Sequence, residues 1–345
     1  MGENPVNLVE DAPSLRWDDA DLTAAREGDR AAFARMIAPI YGQLHAHCYR
    51  MLGSVHDADD AVQDALIRAW RGMGAFEGRS SVRTWLFTVA TRVCLDLSAA
   101  RARRALPIDL GPASDRVDLE AQPSTEIPWI TPYPDTDPLD STLRRESLEL
   151  AFIAALQHLP GNQRAALLLF DVLGFNTAEI AELMGTTRTS VSSALSRARR
   201  TRAARAPHAD ELRRAESVVD EGLRRLASRF ATALETGDLD TFVSLLTEDV
   251  TWTMPPLTTW YRGLDAVAAF AHEVPMTRCP SWRDTLLTAN GGQPAIAFYL
   301  GADPAADHLA WAIAVLETRG DHIASITSFI EPELFPRFRL PAQHP

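Results

Sequence analysis

Between Ala105 and Asp140 the chain carries Pro107, Pro112, Pro123, Pro128, Pro132, Pro134 and Pro138 among Asp109, Asp115, Asp118, Glu120, Glu126, Asp135, Asp137 and Asp140. Arg116 is the only basic residue in that stretch. Proline without a periodic apolar face cannot build a core of its own, so residues 105–142 are expected to form an extended acidic linker. The 345 residues therefore cannot fold around one core, and each flank must be read separately.

On the N-terminal side, residues 20–104 read as an all-helical domain. Ala31, Phe33, Met36, Ile37 and Ile40 recur at helical spacing, as do Val62, Leu66, Ala69 and Met73, and then Leu86, Val89, Val93 and Leu97. Helical periodicity returns from Leu143 and runs to about residue 206, where Pro207 closes a second unit, 143–206. A further helix from about Ala215 to Thr236 opens a third, 215–340, whose pattern is mixed. Leu239–Leu246 and Leu264–His272 read as helices; Val250–Met254, Trp282–Ala289, Pro294–Leu300, His308–Glu317 and Ile323–Ile330 read as strands. Asn290-Gly291-Gly292 and Arg319-Gly320-Asp321 supply the turns of an antiparallel sheet.

Composition narrows the function. Hydrophobic residues at 46% and charged residues at 23% suit a soluble globular chain, and no apolar run approaches a bilayer span. The acidic N-terminus lacks the order of a secretory signal, so a cytoplasmic protein with no membrane partner is expected. Cys48, Cys94 and Cys279 are widely spaced with no CxxC pair, and His45, His47 and Cys48 are too few for a metal site; no metal or cofactor is expected. The net charge of -12 argues against nucleic acid only as a sum, because binding depends on where charges sit. All the basic side chains are arginine, so arginine content alone carries no argument.

Thr177 to Arg205 fits a helix-turn-helix. Asn176 can cap the first helix with Glu179 three residues on; Ile180 and Leu183 face inward; Ala181 is small at the crossing; Gly185 sits at the turn; Val191 and Leu195 plug the second helix. The outward face then holds Arg188, Thr189, Ser192, Ser193, Ser196 and Arg199. Short hydroxyls can reach base edges, Arg188, Arg197, Arg199, Arg200, Arg202 and Arg205 can neutralise phosphates, and no acid occurs between Glu182 and Asp210. A helical hairpin with a solvated basic face is the plainer alternative.

Together the two helical blocks resemble the extracytoplasmic-function class of bacterial sigma factors. The resemblance rests on AREGDRAAFARMIAPIYGQLHAHCYRMLGS, DADDAVQDALIRAWR, FEGRSSVRTWLFTVATRVCLDL and RARR in the first block, and on AALQHLPGNQRAALLLFDVLGFNTAEIAELMGTTRTSVSSALSRARR in the second. It implies a subunit that binds core RNA polymerase through the clamp and flap regions and directs it to promoter DNA. It also implies that Asp57, Asp60, Gln63, Asp64 and Arg68 dock the clamp, although an acidic helix face needs no function. Phe76, Arg79, Ser80 and Ser81 would hold a flipped base of the −10 element, with Trp85, Thr88 and Arg92 on the following helix. Trp85 serves equally as core, and Arg92 stands where family members often carry asparagine. Arg188, Thr189, Ser192, Ser193, Ser196, Arg197, Arg199 and Arg200 would meet the −35 element. The acidic linker would lie in the positively charged polymerase channel, or act as a plain tether.

From about Ala227 the chain resembles a SnoaL-like domain of the nuclear-transport-factor-like superfamily, on FATALETGDLDTFVSLLTEDVTWTMPP, WYRGLDAVAAF, ANGGQPAIAFYL and ITSFIEPELFPRFRLP. The implied fold is an α+β cone around a pocket, with Trp252, Trp260, Tyr261, His272 and Trp311 as candidate lining for an unidentified small ligand. Asp249, His272, His308 and His322 are the available acid–base groups, but none is spaced to pair with another, so no catalysis is expected. The expectation is a multidomain chain, two all-α domains and one α+β cone, acting as an alternative sigma factor modulated by the cone. Two other classes remain open: a ligand-responsive helix-turn-helix regulator acting without core polymerase, and a SnoaL-like enzyme fused to a DNA-binding module.

Overall fold

The computed structural model describes residues 17–135, 148–205 and 219–344. The expected helix starts at Leu143 and Ala215, the close at Pro207, and the linker residues 136–142 lie outside them. The helices are α1 (Asp19–Arg26), α2 (Arg30–Ile37), α3 (Tyr41–Leu52), α4 (Val55–Gly72), α5 (Val82–Ala100), α6 (Leu150–Gln157), α7 (Gly161–Leu167), α8 (Thr177–Leu183), α9 (Arg188–Arg205), α10 (Val219–Thr236), α11 (Leu239–Ser244) and α12 (Leu264–Ala271). Contacts divide the chain into two compact units. Of the described residues, the first takes 17–52, His56–Arg101 and Leu159–Arg202; the second takes Gly53–Val55, 102–135, 148–158, 203–205 and 219–344.

In the first unit short polar residues open the helices. Asp29 accepts from the N–H groups of Ala31 (2.8 Å) and Ala32 (3.2 Å), and Ser81 accepts from Thr84 N–H at 3.0 Å, which occupies donors that the helix itself leaves unpaired. The apolar stripes then meet: Met36, Ile40, Leu44, Cys48, Val62, Ala69, Leu86, Ala90 and Val93 are buried, as are Leu167, Leu168, Leu169, Ile180, Val191 and Leu195 of the later helices. From α7 to Arg202 the second helical block thus shares a unit with the first, while α6 falls in the second unit.

The second unit is built on a six-stranded sheet in the order β2-β1-β6-β5-β4-β3. Its strands are β1 (Leu246–Thr253), β2 (Trp260–Arg262), β3 (Ser281–Ala289), β4 (Gln293–Gly301), β5 (Leu309–Arg319) and β6 (His322–Phe329). β1 and β6 run parallel and the other pairs antiparallel. Phe230, Phe242, Val250, Trp252, Met254, Tyr261, Phe270, Ile296, Phe298, Ala314, Leu316 and Ile326 form one core of this unit. The helix expected to reach Leu246 stops at Ser244, and Leu246 opens β1 instead. The three-residue β2 has too little length to leave an alternating pattern, and the sequence reading missed it.

Residues 105–135, the described part of the linker, carry one short turn at Pro107–Asp109 and are held in place along their length. Ala105, Leu106, Pro107, Trp129, Ile130 and Tyr133 are buried. Its backbone is bonded to the sheet's loops: Ser114 N–H donates to the Trp260 carbonyl (2.8 Å), Ser124 N–H to that of Pro256 (2.9 Å), and Asp118 N–H to the Tyr261 hydroxyl (3.1 Å). Asp109 pairs with His158 at 2.8 Å. A segment too proline-rich to form its own core is ordered by borrowing another.

Asn290, at φ 52° in the turn between β3 and β4 and fully buried, is the main fastening. Its Oδ1 accepts from Tyr133 N–H (3.1 Å), its Nδ2 donates to the Leu148 carbonyl (2.9 Å), and its own N–H donates to the Tyr133 carbonyl (2.8 Å). The Asp135 carboxylate accepts from the next two N–H groups, Gly291 (2.9 Å) and Gly292 (2.7 Å). Asn290→Ala strips partners from two buried backbone groups and places alanine in the left-handed region, so it is expected to destabilise the second unit by about 2–4 kcal/mol. Urea unfolding by near-ultraviolet circular dichroism measures the loss, and amide exchange at Tyr133 localises it; an unchanged midpoint contradicts this account of the turn.

Candidate nucleic-acid interface

The helix-turn-helix forms as its residues require. Asn176 Oδ1 accepts from Ala178 (2.9 Å) and Glu179 (3.0 Å) N–H groups, while the Glu179 carboxylate accepts from Asn176 N–H at 2.8 Å, closing a capping box. Gly185 takes φ 61° between the two helices, and Thr186 N–H returns to the Ala181 carbonyl at 2.8 Å. On α9, Val191, Ala194, Leu195 and Ala198 are buried, and Arg188, Thr189, Ser192, Ser193, Ser196, Arg197, Arg199 and Arg200 are exposed. Thr187 caps α9 through Ser190 N–H at 3.1 Å. One of the eight is committed elsewhere: Arg199 pairs with Asp171 at 2.6 Å and lies 5.3 Å from the centre of the Phe170 ring.

The loop before α5 departs further from expectation. Phe76 is buried, its ring 5.2 Å from that of Trp85, and a side chain at Gly72 would meet the same indole at 3.3 Å. Phe76 therefore packs the loop onto α5 and presents no open face for a base. Ser81 is spent on the helix cap, and Thr88 donates to the Thr84 carbonyl at 2.8 Å. Arg79 is exposed beside Glu77 (3.2 Å), Ser80 is half-buried, and Arg92 donates to the Leu183 carbonyl of α8 at 3.4 Å.

That last bond belongs to a larger contact inside the first unit. Arg83 lies 5.0 Å from the centre of the Phe87 ring and 5.2 Å from that of Phe175, the two rings being 5.9 Å apart edge to face. The same guanidinium reaches the Leu173 carbonyl at 3.4 Å. α5 and the helix-turn-helix thus touch directly.

The acidic face of α4 divides in two. Asp57 is buried and bonded to Arg101, so it is not offered to a partner; α4 turns it toward α5 because it is next to Ala58 and Ala61 on the inward stripe. Asp60 and Gln63 are exposed, and Arg68 bridges Asp64 (2.8 Å) and Asp96 (3.2 Å). Ile67, 42% exposed in their midst, is a member of this face that the sequence reading missed; an apolar residue four after Gln63 on a polar stripe was the available signal.

In the cone the five candidate lining residues separate. Trp252 lies 4.9 Å from Phe270, 5.9 Å from Phe242 and 6.2 Å from Phe230, and Tyr261 stacks on Phe270 at 4.6 Å, so these two are interior. Trp260 is buried against the linker, its Nε1 donating to the Gly111 carbonyl at 3.0 Å. His272 is exposed at the end of α12, and Trp311, 39% exposed, is the unpaired residue at a bulge in β5. Of the acid–base candidates, Asp249 pairs with Arg319 (3.0 Å), His322 is exposed, and His308 is buried against Gly301 and bonded to Ser281 (2.9 Å).

Under α5, His47 is fully enclosed, its Nε2 2.9 Å from Thr91 Oγ1 and its ring edge-on to Phe87. Burial first, then the charges of Arg50 and Arg83, push its pKa down to about 3. The unfolded chain binds that proton near 6.5, so between about pH 6.5 and 3 it holds one more proton than the folded unit. Stability is expected to fall by about 1.4 kcal/mol per unit as pH drops through that window. His47→Gln keeps a bond to Thr91 without the proton and should remove this slope; equal slopes in urea titrations at several pH values refute it.

Three family models match the chain in succession. The Sigma-70 region 2 model matches residues 36–104, the Sigma-70, region 4 model 149–201 and the SnoaL-like domain model 227–326. The chain is 42% identical over 327 residues to the ECF RNA polymerase sigma factor SigG of Mycobacterium tuberculosis, covering 92% of this chain and 85% of that one. It is 31% identical over 235 residues to SigJ of the same organism, 66% of this chain and 68% of that one. The crystal structure of that SigJ superposes with a TM-score of 0.58 at 23% identity over 88% of this chain and 97% of the other, a likeness of fold.

Proposed function

Because the chain belongs to the extracytoplasmic-function RNA polymerase sigma factors and ends in a SnoaL-like domain, we propose how its surfaces divide the work of initiation. Asp60, Gln63, Asp64, Ile67 and Arg68 dock core polymerase at the clamp. The observation that carries the DNA assignment is the outward face of α9: exposed hydroxyls flanked by arginine, with no acid on the helix. Thr189, Ser192, Ser193 and Ser196 reach base edges of the −35 element, and Arg188, Arg197 and Arg200 meet phosphates. Arg79, Ser80, Thr88 and Arg92 meet the −10 element, with Phe76 and Trp85 as the wall behind them.

Two promoter elements centred about 25 base pairs apart lie about 85 Å apart along B-form DNA, at roughly 3.4 Å per step. The bond from Arg92 to Leu183 and the Phe87–Phe175 contact cannot persist while α5 and α9 read both. The arrangement described here is a closed one, and loading on a promoter opens it. The SnoaL-like domain modulates that opening through the linker, which its loops hold. Its aromatic interior packs around Trp252 and Phe270, and its modulating contacts lie at the loops and strand that meet the linker.

Run-off transcription with purified core polymerase tests the reading: the full chain is expected to yield transcripts from promoters found by genome-wide binding. The pair Asp60→Arg and Asp64→Arg should weaken core binding at least about tenfold with helical content unchanged, since like charges then face the docking partner's complement. No transcript from any genomic promoter, together with no co-purification of core enzyme, rejects it.

A further inference from the structure

Arg199 stands apart from the other arginines of the recognition helix. At about 100° per residue, Val191, Leu195 and Ala198 define the inward direction of α9, Arg200 points almost opposite, and Arg199 sits on the shoulder between. Its partner is one wide turn, Leu168–Val172, closed by Leu173 N–H to the Leu168 carbonyl at 3.0 Å. That turn presents two adjacent residues to the same guanidinium: the Phe170 ring face at 5.3 Å and the Asp171 carboxylate at 2.6 Å. A planar cation held by a ring and a carboxylate together has its orientation fixed in a way that an ion pair alone does not fix. Among the described residues Arg188, Arg197 and Arg200 make no ion pair.

We propose that Arg199 is a positioning residue: it clamps the middle of the recognition helix to the Leu168–Val172 turn, setting the angle at which α9 is presented, and is not itself a phosphate contact. A phosphate arriving at Arg199 must displace Asp171, whose own charge repels it, whereas Arg197 and Arg200 meet phosphate with no such competitor. The inference rests on the reading that α9 lies on DNA, and it assigns a different task to one residue of that face.

The test uses the full chain and a fluorescent mixed-sequence 30-base-pair duplex, titrated from about 50 to 300 mM salt, because the slope of log affinity against log salt counts phosphate contacts. Arg197→Ala and Arg200→Ala should each flatten that slope by about one unit. Arg199→Ala should weaken binding about three- to tenfold at the same slope. Asp171→Asn, nearly isosteric and partly exposed, should weaken binding similarly, and the double variant should be no worse than either single, since one clamp is lost once. Thermal unfolding of each variant separates a loosened helix from a lost fold. An Arg199→Ala slope flattened like that of its neighbours, or an Arg199→Ala that changes neither slope nor affinity, overturns the proposal. If no arginine variant changes the slope, the failure lies instead with the placement of α9 on DNA.

Discussion

The first unit depends on where one cation is buried. Arg164, at the middle of α7 and 6% exposed, donates to the carbonyls of Met51 and Leu159. Met51 lies in the last turn of α3, where helical carbonyls have no partner of their own, so a side chain from a distant segment completes that terminus. A guanidinium can be buried only where such acceptors converge, and this fixes α7 against α3 in one orientation. Everything downstream inherits it: Gly161 rests with its Cα a contact away from Leu95, where an added Cβ would approach to 3.2 Å, and Phe175 comes within reach of Phe87 and Arg83. The closure of α5 onto the helix-turn-helix is thus the consequence of satisfying buried polar groups, with the aromatic contact added to it.

The same logic of borrowed partners governs the second unit. Seven prolines leave the linker short of donors, and the N–H groups of Ser114, Asp118 and Ser124 find the Trp260 carbonyl, the Tyr261 hydroxyl and the Pro256 carbonyl. Asn290 in a left-handed turn replaces a missing strand partner for Tyr133, and Asp135 caps the glycines that follow. The acidic character of the linker is not spent uniformly: Asp109 and Asp135 hold structure, whereas Glu120 and Glu126 remain exposed.

What could be read before the structure follows from how local each signal is. The capping box at Asn176, the glycine at 185 and the inward pair Val191 and Leu195 are short-range requirements, and they place α8 and α9 to within a residue. The strands from Ser281 onward were legible because alternation and two turns bracket them. Tertiary commitments were not legible. Asp57 and Asp60 share a helix and a charge, and only the position of Arg101 decides that the first is buried. Phe76 reads as part of a pocket for a base and Trp85 as either a −10 contact or core, and their mutual packing is visible only in three dimensions. Trp311 and His272 were grouped with Trp252 by residue type, whereas a bulge and a helix end turn them outward. The linker's order depends on loops more than a hundred residues away, beyond any pattern in its own sequence.

If the contact between α5 and the helix-turn-helix must open on a promoter, as proposed, it limits how tightly the chain can bind one. Contacts that hold α5 against the helix-turn-helix stabilise a state that cannot span both elements, so the free energy of closure subtracts from that of DNA binding, and apparent affinity scales with the open fraction. A closure of about 3 kcal/mol would weaken binding by roughly 150-fold, since each 1.4 kcal/mol is a factor of ten. Core polymerase changes this balance only through surfaces it meets differently in the two states. The outer face of α4 is exposed while α5 is engaged with α8, so on the proposed reading docking at α4 would precede opening and the −10 surface would follow it. Net charge bears on that proposed order: a chain of -12 is repelled by DNA as a whole, and the basic face of α9 would be the point of entry once the acidic remainder is carried on polymerase. On that reading the free chain, closed and negatively charged, binds DNA more weakly than the same chain assembled on polymerase, without losing the basic face through which it binds.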